Sequence, residues 1–496
     1  MTNMSPPPPA PMLHLGHPES HLPLFGSPSV PSKPVSHRGI ALIFVLAAAT
    51  ALLGWGLEHY GHAAAAPDVS LPWVIPFALL LAAIATMPFV ARHFWEHNYP
   101  WVSIGLGGLV VGYYGLGLQA FASMAKSLGE YVSFIFLLGS LFIVSGGILI
   151  RVRRTATPSV NTGLLLIGAI LANFVGTTGA SMLLIRPFLR INRGNIKAYH
   201  VVFFIFIVSN VGGALTPIGD PPLFLGYLKG VPFWWVAEHC YGAWLVAVGV
   251  LLAVFFGVDT LGHRKGARAA HDVNDPGPAV SIYGAGNILF LALILVGVFL
   301  TPPVRELLMV LAACGSLWTT PQRIHYENVF NFAPIREIAL LFVGIFATMV
   351  PALNYLQNHA HDPALSRYLQ TPGQYYYVSG GLSSVLDNAP TYMVFLETEL
   401  GKIDKAALRS DQTAVGYLLA DEKLNWYIVA ISLGSVFFGA LTYIGNGPNF
   451  MVKSMAEHAG VKCPSFFGYI ACYSLPILLP VLVLVWVIFL RPHAGP

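Results

Sequence analysis

The sequence predicts an all-α polytopic membrane protein of about 11 transmembrane helices plus two re-entrant hairpins, set in two inverted-topology repeats with broken helices. Three observations predict it. Of the 496 residues 55% are hydrophobic and only 10% are charged, against about 25% charged in a soluble domain, so much of the surface must face lipid. Apolar runs long enough to cross about 30 Å of hydrocarbon follow one another almost end to end. A short Gly/Pro motif that no continuous helix tolerates occurs twice, in the middle of two such runs.

The elements follow in order. Residues 1–37 carry the Pro6–Pro9 run with His14, His17, His21 and His37, a composition that cannot pack a core and predicts a disordered Pro/His-rich tail. The first apolar stretch starts near Ile40, too late for a signal peptide. A first half covers 38–258, a polar cytoplasmic linker with Asp272, Asp275 and Pro276 covers 259–281, and a second half covers 282–496. Spans are expected at 40–57, 72–91, 101–121, 131–150, 241–258, 282–300, 304–320, 335–356 and 465–490, with broken helices at 199–235 and 425–460. Residues 160–190 and 374–398 are apolar but interrupted centrally by small and polar residues, so each is read as a re-entrant hairpin.

Loop charge supports that reading. Lys33 and Arg38 place the N-terminus in the cytoplasm, and Arg92, Arg151, Arg153 and Arg154 return there. If 160–190 crossed the membrane once, Arg186, Arg190, Arg193 and Lys197 would fall outside. As a hairpin it returns them to the cytoplasm.

The repeated motif reads LTPIGDPPLFL at 215–225 and LTYIGNGPNFM at 441–451. Each copy follows a small-residue hairpin, and the charge-derived orientation runs the two copies in opposite directions, the mark of inverted transporter repeats. Breaking a helix in hydrocarbon frees backbone groups that must line a polar site. Half-helix C-termini and unwound carbonyls attract cations, and half-helix N-termini attract anions.

Candidate binding residues lie at these four breaks. The first hairpin tip supplies Asn173, Thr177, Thr178 and Ser181, and the first broken helix Asn210, Gly212, Thr216, Gly219 and Asp220. The second tip supplies Ser383, Ser384, Asp387, Asn388 and Thr391, and the second broken helix Thr442, Gly445 and Asn446. A carboxylate at this depth costs several kcal/mol unless it binds a cation, a proton or a base. Arginines cluster at helix ends instead, with Arg186 the nearest and expected at the surface, so Asp220 and Asp387 are the principal candidates. Na+ is expected at Asp220, Asp387, Asn173 and Asn388.

Other groups carry bland expectations. Glu130, Glu238 and Glu397 are read as solvated at span ends, and Arg336 with Glu337 as an end-cap pair. Gly108 and Gly112 are read as a close-packing pair, and Trp234 and Trp235 as an aromatic belt. The four cysteines form no CxxC motif, no basic stripe points to nucleic acid, and no HExxH or GxSxG constellation points to an enzyme.

On the segments Asn173–Pro187, Ser209–Leu225, Leu382–Thr391 and Gly439–Phe450 the chain resembles the ion transporter superfamily. Within it, the chain is similar to the group of citrate transporters and sodium:proton antiporters. The resemblance covers nearly everything after the tail. It implies a homodimer, a scaffold and a mobile transport region in each subunit, and Na+ between each hairpin tip and its neighbouring broken helix. By position, one Na+ site falls at Asn173, Thr177, Asn210, Gly212 and Asp220, the other at Ser384, Asn388, Thr442 and Asn446. Dicarboxylate carriers of the superfamily have Ser-Asn-Thr at both tips. Here the tips read Gly-Thr-Thr and Asp-Asn-Ala-Pro-Thr, and the latter is more similar to the cation antiporters. The leading expectation is therefore a Na+/H+ antiporter of a bacterial inner membrane, using coupling ions and no organic cofactor. The alternative is Na+- or H+-coupled uptake of citrate or another carboxylate, held by half-helix N-termini and tip hydroxyls.

Overall fold

The computed structural model describes residues 37–61, 67–152, 156–265, 280–362, 369–404, 408 and 412–493. Residues 1–36 of the expected tail and 266–279 of the expected linker lie outside the described residues. Among those described, seven helices are long and apolar enough to cross a membrane. Six are α1 (His37–Gly61), α2 (Ile75–Val90, entered through a 3-10 turn), α4 (Phe121–Gly146), α8 (Trp235–Lys265), α12 (Ala333–Asn358) and α18 (Phe466–His493). The seventh, α5 (Pro158–Ile191), is folded back on itself. Leu42, Leu46 and Leu53 of α1, Leu79 of α2 and Tyr241 and Leu245 of α8 are exposed. This is a multi-pass membrane protein, and these outward apolar faces meet acyl chains rather than water.

α3 (Arg92–Gly112) lies along α12. Its Arg92–Glu96 ion pair at 2.7 Å lets the helix start in the polar zone, nine residues before the start expected for 101–121. Gly107 makes the close contact: a Cβ there would stand 3.4 Å from Gly344 Cα, and Ser103 Oγ donates to Leu340 O at 2.7 Å. Gly108 and Gly112 do not pack as expected, since a Cβ on either meets nothing within 4 Å.

Two short helices, α9 (Asn287–Val298) and α10 (Val304–Thr319), stand where 282–300 and 304–320 were expected to span. With 12 and 16 residues they fall short of the about 20 that cross hydrocarbon. The first of these segments is preceded by strand β2 (Val280–Tyr283), which pairs antiparallel with β1 (Leu149–Val152), Leu149 opposite Tyr283. This ribbon is the exception to the all-α expectation. Its β-branched residues favour an extended chain, and it also shortens the expected linker, whose other end continues α8 to Lys265. The span expected at 131–150 likewise ends at Gly146 and begins earlier, at Phe121. Outside the spans, the Arg151 guanidinium, with Arg323, holds the Glu327 carboxyl below its ordinary range, so this link at the ribbon is charged at neutral pH.

The interior is more ionic than the sequence implied. Glu130 (7% exposed) and Glu397 (4% exposed) are buried, not solvated. Lys229 Nζ lies 3.1 Å from Glu130 Oε1 and 3.3 Å from Glu397 Oε1, and Gln357 Nε2 donates to Glu397 Oε2 at 2.5 Å. Helix α7 (Pro221–Leu228) ends one residue before Lys229, which delivers the ammonium to both acids. Removing one partner from a buried ionic group costs about 3–5 kcal/mol. Lys229→Met should therefore lower the melting temperature in detergent far more than Glu238→Gln at an exposed position; equal melting points would refute the pairing. Trp234 is exposed as expected of a belt residue, but Trp235 is buried, stacked on His239 at 4.0 Å.

Candidate functional site

A straight helix of the 34 residues of α5 would be about 50 Å long at 1.5 Å per residue. Instead its ends meet: Asn161 Nδ2 donates to Asn192 Oδ1 at 3.0 Å, and Asn192 Nδ2 returns a bond to Asn161 Oδ1 at 2.9 Å. The fold-back is at Gly176, whose φ of +77° strains any side chain. A second hairpin is formed by α13 (Pro372–Ser383) and α14 (Asn388–Gly401). Its far ends also meet, with Lys402 Nζ 4.9 Å from the Tyr375 ring centre and bonded to Leu369 O at 2.6 Å.

Each hairpin is stitched to a broken helix. The first consists of α6 (Ala198–Ile207) and α7, separated by thirteen residues. The second consists of α16 (Asn425–Phe437) and α17 (Gly447–His458). The same bonds recur in both. Thr216 Oγ1 donates to Asn173 O at 2.6 Å and accepts from Gly219 N at 3.1 Å. Thr442 Oγ1 donates to Ser384 O at 2.6 Å and accepts from Gly445 N at 3.1 Å. Each Thr-x-x-Gly turn thus closes on itself and clamps a hairpin tip. Asn173 completes the first clamp, accepting from Leu215 N at 3.0 Å and donating to Gly212 O at 2.7 Å. Gly212 leaves room for this approach, since a Cβ there would stand 2.6 Å from Ala169 Cα.

The two clamps meet at one carboxylate. Asp220, 0% exposed, accepts from Thr177 Oγ1 at 2.9 Å and Asn446 Nδ2 at 3.0 Å on Oδ1, and from Asn388 Nδ2 at 2.8 Å on Oδ2. Residues expected in two separate groups therefore form one network, with members of the second group bonded directly to Asp220. Four helical segments start here: the second arm of α5 at Thr177, α7 with Asp220 as N-cap, α14 with Asp387 as N-cap, and α17 with Asn446 as N-cap. Each contributes roughly half a positive charge at its N-terminus, which explains how a carboxylate survives here with no base at salt-bridge distance among the described residues.

The remaining candidates support this centre. Ser383 Oγ lies 2.7 Å from Asn388 Oδ1 and fixes that amide. Asn210 Oδ1 accepts from Asn446 Nδ2 at 3.2 Å, and Ser181 and Ser209 share a hydroxyl bond of 2.8 Å. Ser384 Oγ turns away to Gly381 O, and Thr391 Oγ1 to Asp387 O. Asp387 is half-buried and accepts from Ala389 N at 3.1 Å. With Thr178 and Asn446 it lines a cavity of about 100 Å³ between the tips and α12. That lining includes the acids Asp387 and Glu337 and no Lys, Arg or His. Arg186 contributes nothing to it; it is half-buried, not at the surface, and its guanidinium donates to Asn328 O.

Two contributors were not singled out from sequence. Asn449, fully buried, accepts from Asn210 at 2.6 Å and donates to Gly439 O and Thr442 O. An amide one helical turn past the second break was the available signal. Glu337 was read as part of an end-cap pair; the fold instead buries it against the cavity. Among the described residues no group of three or more His, Cys, Asp or Glu side chains is placed to hold a metal.

A family model described as "Putative citrate transport" matches residues 66–490. No curated protein matches the chain.

Proposed function

The chain belongs to this citrate transport family, and on that premise we propose that it is an ion-coupled secondary transporter of the bacterial inner membrane that exchanges Na+ for H+. The observation that carries this reading is the charge of the site. A fully buried carboxylate, Asp220, stands beside a cavity whose lining holds further carboxylates and no Lys, Arg or His. Such a site attracts a monovalent cation or a proton and repels a polyanion. Asp220 and Asp387 would hold Na+ in one state and protons in the other. The side-chain oxygens of Thr177, Asn388 and Asn446 stand near enough to complete a Na+ shell once the two amides turn their oxygens inward. Asn173 would contribute through the loop that it clamps.

The matched Thr216 and Thr442 clamps support two inverted repeats, with hairpins entering from opposite faces. Alternating access then follows from movement of the hairpins and broken helices against α3, α4 and α12. We assign the N-terminus to the cytoplasm on loop charge and the assembly to a homodimer on the superfamily resemblance.

One observation favours a second reading, carboxylate uptake coupled to Na+ or H+. Four helix N-termini converge at the site, an arrangement that binds anions. Flux in proteoliposomes separates the two. With no organic anion present, an inward Na+ gradient should carry Na+ in and H+ out and so alkalinise the lumen, as read by a trapped pH dye. Labelled citrate uptake that depends on the Na+ gradient, with no Na+-driven proton movement in its absence, would overturn antiport.

A further inference from the structure

Five glutamates are buried among the described residues: Glu130, Glu306, Glu337, Glu397 and Glu399. Four have a cation at salt-bridge distance. Lys229 serves Glu130 and Glu397, Arg305 lies 2.8 Å from Glu306, and Lys402 lies 3.1 Å from Glu399. Glu337, 6% exposed, has no hydrogen bond or salt bridge among the described residues. It also lines the cavity onto which Asp387, Thr178 and Asn446 open. A carboxylate buried without a base in a membrane protein is retained for a proton or a cation.

We propose that Glu337 is a cation-staging residue, a third carboxylate on the transport path, supplied by α12 and not by either hairpin. At this position Na+ or a proton is held between bulk water and Asp387. The charged neighbours fit an entry site. Arg336 is exposed and lies against Tyr99 of α3, leaving the Glu337 carboxyl to the cavity. The Arg336 guanidinium and, from α3, the Glu96 carboxylate both act on Glu337 through space; Glu96 is itself paired with Arg92, and Arg336 is not at salt-bridge distance from Glu337. From the second hairpin tip comes Asp387, and from α4 the phenol of Tyr131, which is committed to Ala339 O at 2.9 Å. α2 brings no titratable side chain. Arg336 is the one cation acting on Glu337, and it is exposed and turned to Tyr99 without an ion pair to this carboxyl, which leaves the cavity side of Glu337 open to a mobile cation.

This inference rests on the antiport reading, and the tests separate the two. In proteoliposomes, Glu337→Gln should raise the half-saturating Na+ concentration about tenfold with little change in maximal rate, and Glu337→Asp should recover most of that loss. In the unmodified protein, an apolar carbodiimide should label Glu337, and Na+ should suppress the labelling, as read by peptide mass spectrometry; this arm does not depend on any variant folding. Unchanged Na+ saturation in Glu337→Gln, or Glu337 labelling indifferent to Na+ that protects Asp387, overturns the staging role. If the unmodified protein moves no protons in response to a Na+ gradient, the antiport assignment itself fails, whatever the Glu337 variants show.

Discussion

Asp220→Asn should abolish coupled transport while leaving a folded protein. The carboxylate receives three side-chain donors, from Thr177, Asn446 and Asn388, and it offers the negative charge that a cation or proton must meet. An amide keeps the volume but turns one acceptor into a donor. One of the three partners then faces donor against donor unless it flips, and flipping Asn446 forfeits its bond to Ser209 O at 3.2 Å. The stability cost is that of about one buried hydrogen bond, about 1–3 kcal/mol. Loss of the charge removes the cargo's partner altogether, so flux should fall by at least about a hundredfold, equivalent to roughly 2.7 kcal/mol. Proteoliposome exchange together with a melting curve in detergent checks both halves of this expectation. Full exchange by a well-folded variant would remove Asp220 from the mechanism.

Gly219→Ala should be the most damaging small substitution in the chain. An added Cβ would lie 2.0 Å from Gly213 O and 2.8 Å from Gly213 C, backbone atoms that no rotamer change can move. The first break is folded so tightly that its two strands touch at these glycines, and the turn presents Gly219 O to Thr177 N at 2.8 Å. Opening it to admit a methyl group would displace both the hairpin tip and Asp220. Overpacking of this kind costs about 3 kcal/mol or more. The expected result is loss of monodisperse protein, or survival with exchange abolished. Gly108→Ala and Gly112→Ala, which meet nothing within 4 Å, should purify and transport like the parent. A stable, active Gly219→Ala protein would show that the break does not have this geometry.

Much of the fold was legible because hydrocarbon imposes strict rules on sequence. Apolar length marks spans, Pro and Gly within them mark breaks, and each hairpin tip shows as small polar residues where leucines would otherwise continue. The four breaks are therefore visible at Asn173–Ser181, Thr216–Asp220, Ser383–Asn388 and Thr442–Asn446. Less legible were the short elements. The alternation in Leu149–Val152 and Val280–Tyr283 is too brief to distinguish a ribbon from a helix end, because its pairing is non-local.

Pairing was where local reading failed. Glu130 and Glu397 resemble ordinary acids at helix ends, and nothing near either in the chain announces Lys229, which approaches from the end of α7. Gly108 and Gly112 have packing spacing, yet it is Gly107 that faces α12, because the rotation of a helix about its axis is set by its neighbours. Glu337 and Asn449 likewise acquire their roles from what is packed against them.

The sequence by itself determined that the backbone must unwind at four places in the membrane and that Asp220 and Asp387 lie at two of them, since local sterics and the absence of water leave no alternative. Only the tertiary structure decided that the four helix starts converge on Asp220 and that Glu337 has no salt bridge among the described residues. Convergence and pairing are distances between segments far apart in the chain, and those distances are set by how whole helices pack.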